Sequence, residues 1–151
     1  MSVAFRRESD EEHKEPRFEI PIPVGPNLVT PRGFAMIEAE VARHTVRVEA
    51  ETEELALNEA KRDLRYWRSR IATAQIAPTP PDGEVGIGSS VTFRLNGNER
   101  TIHIVGDDEA DPAKLYIAFS APLARALMGG IAGDWVDFGG KEEAIEILVV
   151  D

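Results

Sequence analysis

The residues best suited to chemistry in this chain are carboxylates, and they fall in two clusters. The first, Asp107, Asp108, Glu109 and Asp111, follows Gly106. Closely spaced carboxylates can hold Mg²⁺ or Ca²⁺ through their oxygens. The spacing is not that of an EF-hand loop, because the glycine precedes the cluster and no closing glutamate sits at the required distance. A solvated turn between two strands accounts for the same residues. The second cluster is Glu49, Glu51, Glu53 and Glu54. Carboxylates at the end of a projecting element can carry metal ligands into another molecule's active site. Glutamates also gather where a helix begins, because its dipole favours negative charge there.

Other candidates are weaker. His13, His44 and His103 share no metal-ligand spacing, and the chain has no cysteine, so no metal centre of its own is expected. Lys61, Arg62, Arg65, Arg68 and Arg70, with Tyr66 interleaved, form the main basic concentration. It suits phosphates or an acidic protein surface, or is a solvent-facing helix side partly neutralised by Glu59 and Asp63. There is no G-x-S-x-G, no Walker loop and no dinucleotide fingerprint, and Gly86-Ile87-Gly88 lacks a third glycine and precedes a strand pattern. No catalytic residue is assigned, and no enzyme is expected.

Bulk properties narrow the field further. The net charge is −10, which opposes stable binding to DNA or duplex RNA through phosphates. Most of the deficit lies in residues 77–151, with five basic and thirteen acidic side chains; residues 31–76 carry eight of each. No apolar run approaches the roughly 20 residues that span a bilayer. The first residues have no apolar stretch of signal-peptide length. With no cysteine, a reducing, cytoplasmic setting is expected.

Four segments would have to position these groups. Residues 1–29 are polar and then proline-rich, and Ile20-Pro21-Ile22-Pro23 cannot be helix, so they read as an extended or disordered arm. Thr30 can cap a helix that opens on Pro31. From Phe34 to Ala77 there is neither glycine nor proline. Phe34, Ile37, Val41 and Val48 keep one apolar stripe, with His44 in the remaining slot as a packed or register-setting residue. Leu57, Ala60, Leu64, Trp67, Ile71 and Ala74 keep another. Val41 and Leu57 differ by about 160° around one helix, so the stripes meet only if the chain folds back. The expected pairs are Phe34 with Ala74, Val41 with Trp67 and Val48 with Ala60, with a bend near Thr52–Leu55 that carries the second glutamate cluster. An antiparallel helical hairpin, a short coiled coil, is therefore expected over 30–77, with legs of about 30 Å. A straight helix in a dimer is the alternative.

Prolines and Gly83 make 78–83 a linker. Residues 84–151 show strand periodicity: Ser90–Leu95, the Asn96-Gly97 turn, Arg100–Val105, Leu115–Phe119, then a short helix Pro122–Met128, and a closing pair Trp135–Phe138 and Ala144–Val150. The fold class is α+β, a helical hairpin followed by a β-rich domain with one short helix.

Several of these segments resemble the GreA/GreB transcript-cleavage factors. Ile104-Val105-Gly106-Asp107-Asp108-Glu109-Ala110-Asp111 is very similar to a signature of their C-terminal domain. So is Ser120-Ala121-Pro122-Leu123-Ala124-Arg125-Ala126-Leu127-Met128-Gly129, followed by Gly133-Asp134. Thr30-Pro31-Arg32-Gly33-Phe34 resembles the family's helix opening, and Ala74-Gln75-Ile76 its hairpin end. The likeness covers about residues 28–151. It implies a C-terminal domain of FK506-binding-protein-like (FKBP-like) fold that docks on RNA polymerase, with Asp107, Asp108, Glu109, Asp111, Ser120, Pro122 and Arg125 as docking residues. It implies a hairpin entering the secondary channel, where tip carboxylates help hold a Mg²⁺ of the polymerase while the polymerase cuts backtracked RNA. Contact with nascent RNA would be indirect.

Two departures qualify the likeness. The hairpin is shorter than in full-length factors and lacks their Asp-Leu-x-Glu-Asn type tip motif, so Glu49, Glu51, Glu53 and Glu54 match no motif position. Short-hairpin relatives, the regulators of nucleoside diphosphate kinase, share the docking domain but are not expected to stimulate cleavage. Ala121 also replaces a serine before Pro122, leaving Ser120 to cap the short helix. Occlusion or modulation without cleavage is the alternative function. Peptidyl-prolyl isomerase activity is a remote one, raised only by fold class; Phe93, Tyr116, Phe119, Trp135 and Phe138 are few and mostly core-facing.

Overall fold

The structure, a computed structural model, describes residues 18–151. The arm expected over 1–29 falls partly on residues 1–17, outside the described residues; residues 18–27 form neither helix nor strand. The chain divides into two compact units, Met1–Gly25 with Ile37–Ala72, and Pro26–Met36 with Thr73–Asp151.

The first unit holds most of two helices, α1 (Pro31–Ala50) and α2 (Glu54–Thr73), each 20 residues long. The bend lies between them, where the two apolar stripes require it. Ile37, His44, Ala60 and Leu64 are buried, as the stripes predict. The His44 Nδ1 lies 2.8 Å from the Glu40 carbonyl, and its ring stacks on Trp67 at 6.5 Å. His44 is thus a packed seam residue. Arg70 departs from the solvent-facing reading of the basic run: it is 2% exposed, and no buried side-chain polar atom among the described residues lacks a partner.

Asp63 joins the two helices. Its carboxylate accepts from Arg47 at 2.8 Å and from neighbouring Arg62 at 3.1 Å. Burial pushes its pKa up, but the bonds from Arg47 and Arg62 outweigh burial and hold it below the ordinary aspartate range. A lowered folded pKa stabilises above the unfolded value and loses that contribution as pH falls through the folded one. Helicity should therefore decline in acid, and Asp63→Asn should flatten this part of a circular-dichroism pH titration. An unchanged acid limb would remove Asp63 from the account.

The second unit is built on a five-stranded sheet. Its strands are β3 (Ser90–Leu95), β4 (Asn98–Val105), β5 (Tyr116–Ala118), β6 (Trp135–Phe138) and β7 (Lys141–Val150), in the order β5-β4-β3-β7-β6. Only β4 and β5 run parallel. Asn96 and Gly97 both take positive φ, 54° and 78°, the tight hairpin turn their dipeptide signals. Alternation places Val91, Phe93, Ile102, Ile104, Ile145 and Ile147 in one core. Ala124 and Leu127 of α3 (Pro122–Leu127) pack into the same core. Polar residues occupy the intervening positions. Thr92 and Thr101 pair at 2.8 Å, and Arg94 bridges Glu99 and Glu146.

Some local expectations change. Leu115 does not start β5; it has φ 65° and closes a 3-10 turn over Pro112–Lys114. The last strand begins at Lys141 rather than Ala144. The helical run stops at Thr73, after which β2 (Gln75–Ile76) pairs in parallel with β1 (Leu28–Val29). The Asn27 and Val29 carbonyls accept from the Gln75 and Ala77 amides at 2.9 and 2.8 Å. Among the described residues, no helix is long and apolar enough to cross a membrane.

Candidate functional site

The acidic turn is ordered from its glycine onward. Gly106 is buried where the chain leaves β4, and a Cβ there would stand 2.6 Å from the Leu28 carbonyl oxygen. Only glycine lets β1 pass this closely. Asp107–Glu109 then form a 3-10 turn, closed by the Glu109 amide donating to the Gly106 carbonyl at 3.1 Å.

The turn sends its carboxylates in different directions. Glu109 points inward, with its side chain only 3% exposed. Its Oε1 accepts from Arg32 at 2.6 Å and its Oε2 from the Thr30 hydroxyl at 2.6 Å. The Thr30 hydroxyl oxygen accepts in turn from the Gly33 amide at 2.9 Å, the cap its sequence position suggested. A Cβ on Gly33 would meet Glu109 Oε2 at 2.6 Å. Glu109 is therefore the anchor of the first turn of α1 and presents no surface to a partner. Asp107 instead accepts from the Ser120 hydroxyl. Ser120 is thus committed to the turn and does not cap α3, whose N-cap position is Ala121 with no side-chain hydrogen bond. Asp108 is half-buried and has a partner within the chain. Asp111 exchanges backbone bonds with Tyr116 at 2.8 and 3.1 Å. Pro122 opens α3, and both it and Arg125 are exposed.

A surface ladder missed by sequence reasoning runs beside this turn. The Arg32 guanidinium lies 4.7 Å from the centre of the Tyr116 ring. Tyr116 meets His103 edge to face at 5.3 Å. Both contacts join residues far apart in the chain, and no local spacing announces them.

Residues 80–151 match the family described as "Transcription elongation factor, GreA/GreB, C-term". A transcription elongation factor GreA of Legionella pneumophila is 33% identical over 105 residues, covering 68% of this chain and 62% of the relative. Residues 80–151 thus carry a GreA/GreB C-terminal domain. A GreB of Pasteurella multocida is 40% identical over 76 residues, 48% of each protein. A GreA of Vibrio parahaemolyticus is 39% identical over 90 residues, 58% of this chain and 57% of the relative. The chain thus spans about half to three fifths of the length of these curated relatives. The crystal structure of GreA factor homolog 1 from Thermus thermophilus is 16% identical over 84% of this chain and 99% of that one, with a TM-score of 0.39, too low to bear on the fold.

Outside that domain, two of the glutamates at the bend serve their own helix. The Glu51 carboxylate accepts from the Thr52 and Glu53 amides at 3.2 and 3.3 Å. Glu53 accepts from the Ala56 amide at 3.0 Å, capping α2. Glu49 and Glu54 are exposed. Among the described residues, no group of three or more His, Cys, Asp or Glu side chains stands close enough to hold a metal ion.

The second unit also has a cavity of about 410 Å³, bounded by Val29, Ile76, the 78–83 linker, Glu84 and Asp151, with no aromatic side chain in its lining. Phe93 is fully buried and Phe119 and Phe138 pack against the core, whereas Trp135, 54% exposed, and Tyr116, in the surface ladder, depart from the core-facing expectation.

Proposed function

We propose that this chain is an accessory regulator of transcription elongation that binds RNA polymerase and is not itself an enzyme. The observation that carries this is the match of its C-terminal domain to the GreA/GreB domain. In this reading the domain docks on the polymerase around Asp107, Asp108, Asp111, Ser120, Pro122 and Arg125, with Glu109 behind them as a positioning residue. The hairpin enters the secondary channel, where any contact with nascent RNA is indirect and the Mg²⁺ belongs to the polymerase.

We further propose that it occludes or modulates rather than stimulates cleavage. Glu51 and Glu53 each have an oxygen engaged by backbone amides of the bend, and the sequence resemblance implies a hairpin short for the family. A ligand must approach Mg²⁺ to about 2.1 Å, so a tip that stops short completes no coordination shell. Backtracked polymerase complexes with Mg²⁺ test both statements. Binding without RNA shortening is expected. Shortening that disappears when Glu51→Ala, Glu53→Ala and Glu54→Ala are combined would replace modulation with tip-assisted cleavage. Failure to bind would overturn the polymerase assignment. An isomerase is not favoured, since aromatic residues line no part of the described cavity.

A further inference from the structure

The linker after the helices borders an open strand edge. Gln75 and Ala77 turn their amides toward β1, donating to the Asn27 and Val29 carbonyls at 2.9 and 2.8 Å. Successive residues of a strand bond to opposite sides, so Ile76 aims its amide and carbonyl at the other edge. β1 and β2 form a sheet of two strands, and no strand among the described residues pairs with that edge. Ile76 is 52% exposed.

Ile76 also lines the cavity of about 410 Å³, which lies wholly within the second unit. Ligand clefts typically fall in the range of roughly 300–1,000 Å³. Val29, Ala77, Ile87 and Val150 give this one an apolar wall, and Pro31, Pro78, Pro80 and Pro81 a stiff one. Proline has a fixed φ and no N–H, so these four residues lose little freedom when something binds and offer it no amide. The charged lining residues are Asp82, Glu84 and Asp151, and none is basic. None of Asp107, Asp108, Asp111, Ser120, Pro122 and Arg125 lines the cavity.

We propose that this cleft binds an extended, basic segment of another protein. The segment pairs with the Ile76 amide and carbonyl, sets an aliphatic side chain into the cavity, and brings Lys or Arg to the three carboxylates. Each requirement follows from one feature. The open edge selects an extended backbone. The apolar wall selects an aliphatic side chain. The carboxylates, with no lining cation beside them, select positive charge. β2 is two residues long and runs into Pro78, so it offers one residue's backbone bonds and does not template a longer sheet. The cavity therefore supplies the rest of the hold. This site is separate from the polymerase reading, and its test contains no polymerase.

The probe is an acetylated, amidated peptide of sequence Lys-Ile-Lys-Val-Lys, titrated into the full chain and followed by amide NMR. Saturable shifts are expected at Ile76, Thr79, Gly83 and Gly88, with none at Gly97 in the β3–β4 turn. Methylating every backbone nitrogen of the peptide keeps its charges and side chains but removes its donors, and should abolish the shifts. Asp82→Lys with Glu84→Lys should weaken binding about tenfold at low salt. No saturable shift at about 1 mM peptide would overturn the proposal. Equal binding by the methylated peptide would also overturn it, because the cavity would then take an apolar cation without strand pairing. Unchanged affinity in the charge-reversed chain would do the same, because the carboxylates would then select nothing.

Discussion

Replacing Glu109 with alanine should lower the stability of the C-terminal unit by about 2–4 kcal/mol, read as a lower midpoint in urea or thermal unfolding. The carboxylate is almost fully buried and accepts two 2.6 Å bonds, from Thr30 and Arg32. Alanine removes both acceptors, leaves a cavity, and strands a half-buried hydroxyl. The partners should matter unequally. Arg32 is 62% exposed on its side chain, so its own release is cheap, but Arg32→Ala leaves the buried carboxylate with Thr30 alone and should cost about 1–2 kcal/mol. Glu109→Gln keeps shape and one acceptor and should fall between. If Glu109→Ala destabilises no more than Arg32→Ala, the carboxylate is not the anchor described. Under the proposed function such a variant would also lose polymerase binding without Glu109 touching a partner, so stability must be measured before binding is interpreted.

Gly106→Ala should be at least as damaging, about 3 kcal/mol or more. The backbone at Gly106 has φ −74°, which alanine adopts freely, so no conformational penalty enters. Restricting the unfolded chain would even favour alanine by about 0.4–1 kcal/mol. The loss would be steric: the new methyl group would stand 2.6 Å from the Leu28 carbonyl oxygen, and that oxygen belongs to backbone rather than to a movable side-chain end. Relief requires β1 to shift away from the turn. Amide exchange at Gln75 and Ala77, which donate to the Asn27 and Val29 carbonyls, should then accelerate with the drop in stability. Protection equal to that of the parent chain would show that β1 does not rest on Gly106.

The elements with strong local periodicity were legible from sequence. Ser90–Leu95 alternates in period two and ends at Asn-Gly, a turn dipeptide that tolerates positive φ at both positions. Thr30-Pro31 starts α1, and the opposed phases of the two apolar stripes require the bend. What escaped reading depends on partners distant in the chain. Two-residue strands such as Leu28–Val29 carry no period at all. Leu115 sits in a left-handed conformation that leucine seldom adopts, inside a pattern that looks like strand. Arg70 lies in a basic run and is buried, while Glu109 lies in an acidic run and is buried. In each run the neighbours are more exposed and chemically alike, so composition cannot single out the inward one. The docking residues came from family resemblance, and the structure separates Glu109 from the rest by burial.

The pairing of Leu28–Val29 with Gln75–Ile76 makes the helical segment between them an insertion held at both ends. Matched turns could be added to or removed from its legs while the backbone bonds at the base stay as they are. The entropic cost of closing a chain segment grows only logarithmically, by about 0.6 kcal/mol per doubling of length. Reach can thus change over generations of sequence while the β-sheet unit keeps its own strand pairing. Hairpins of different length on one sheet domain are the outcome such an arrangement permits.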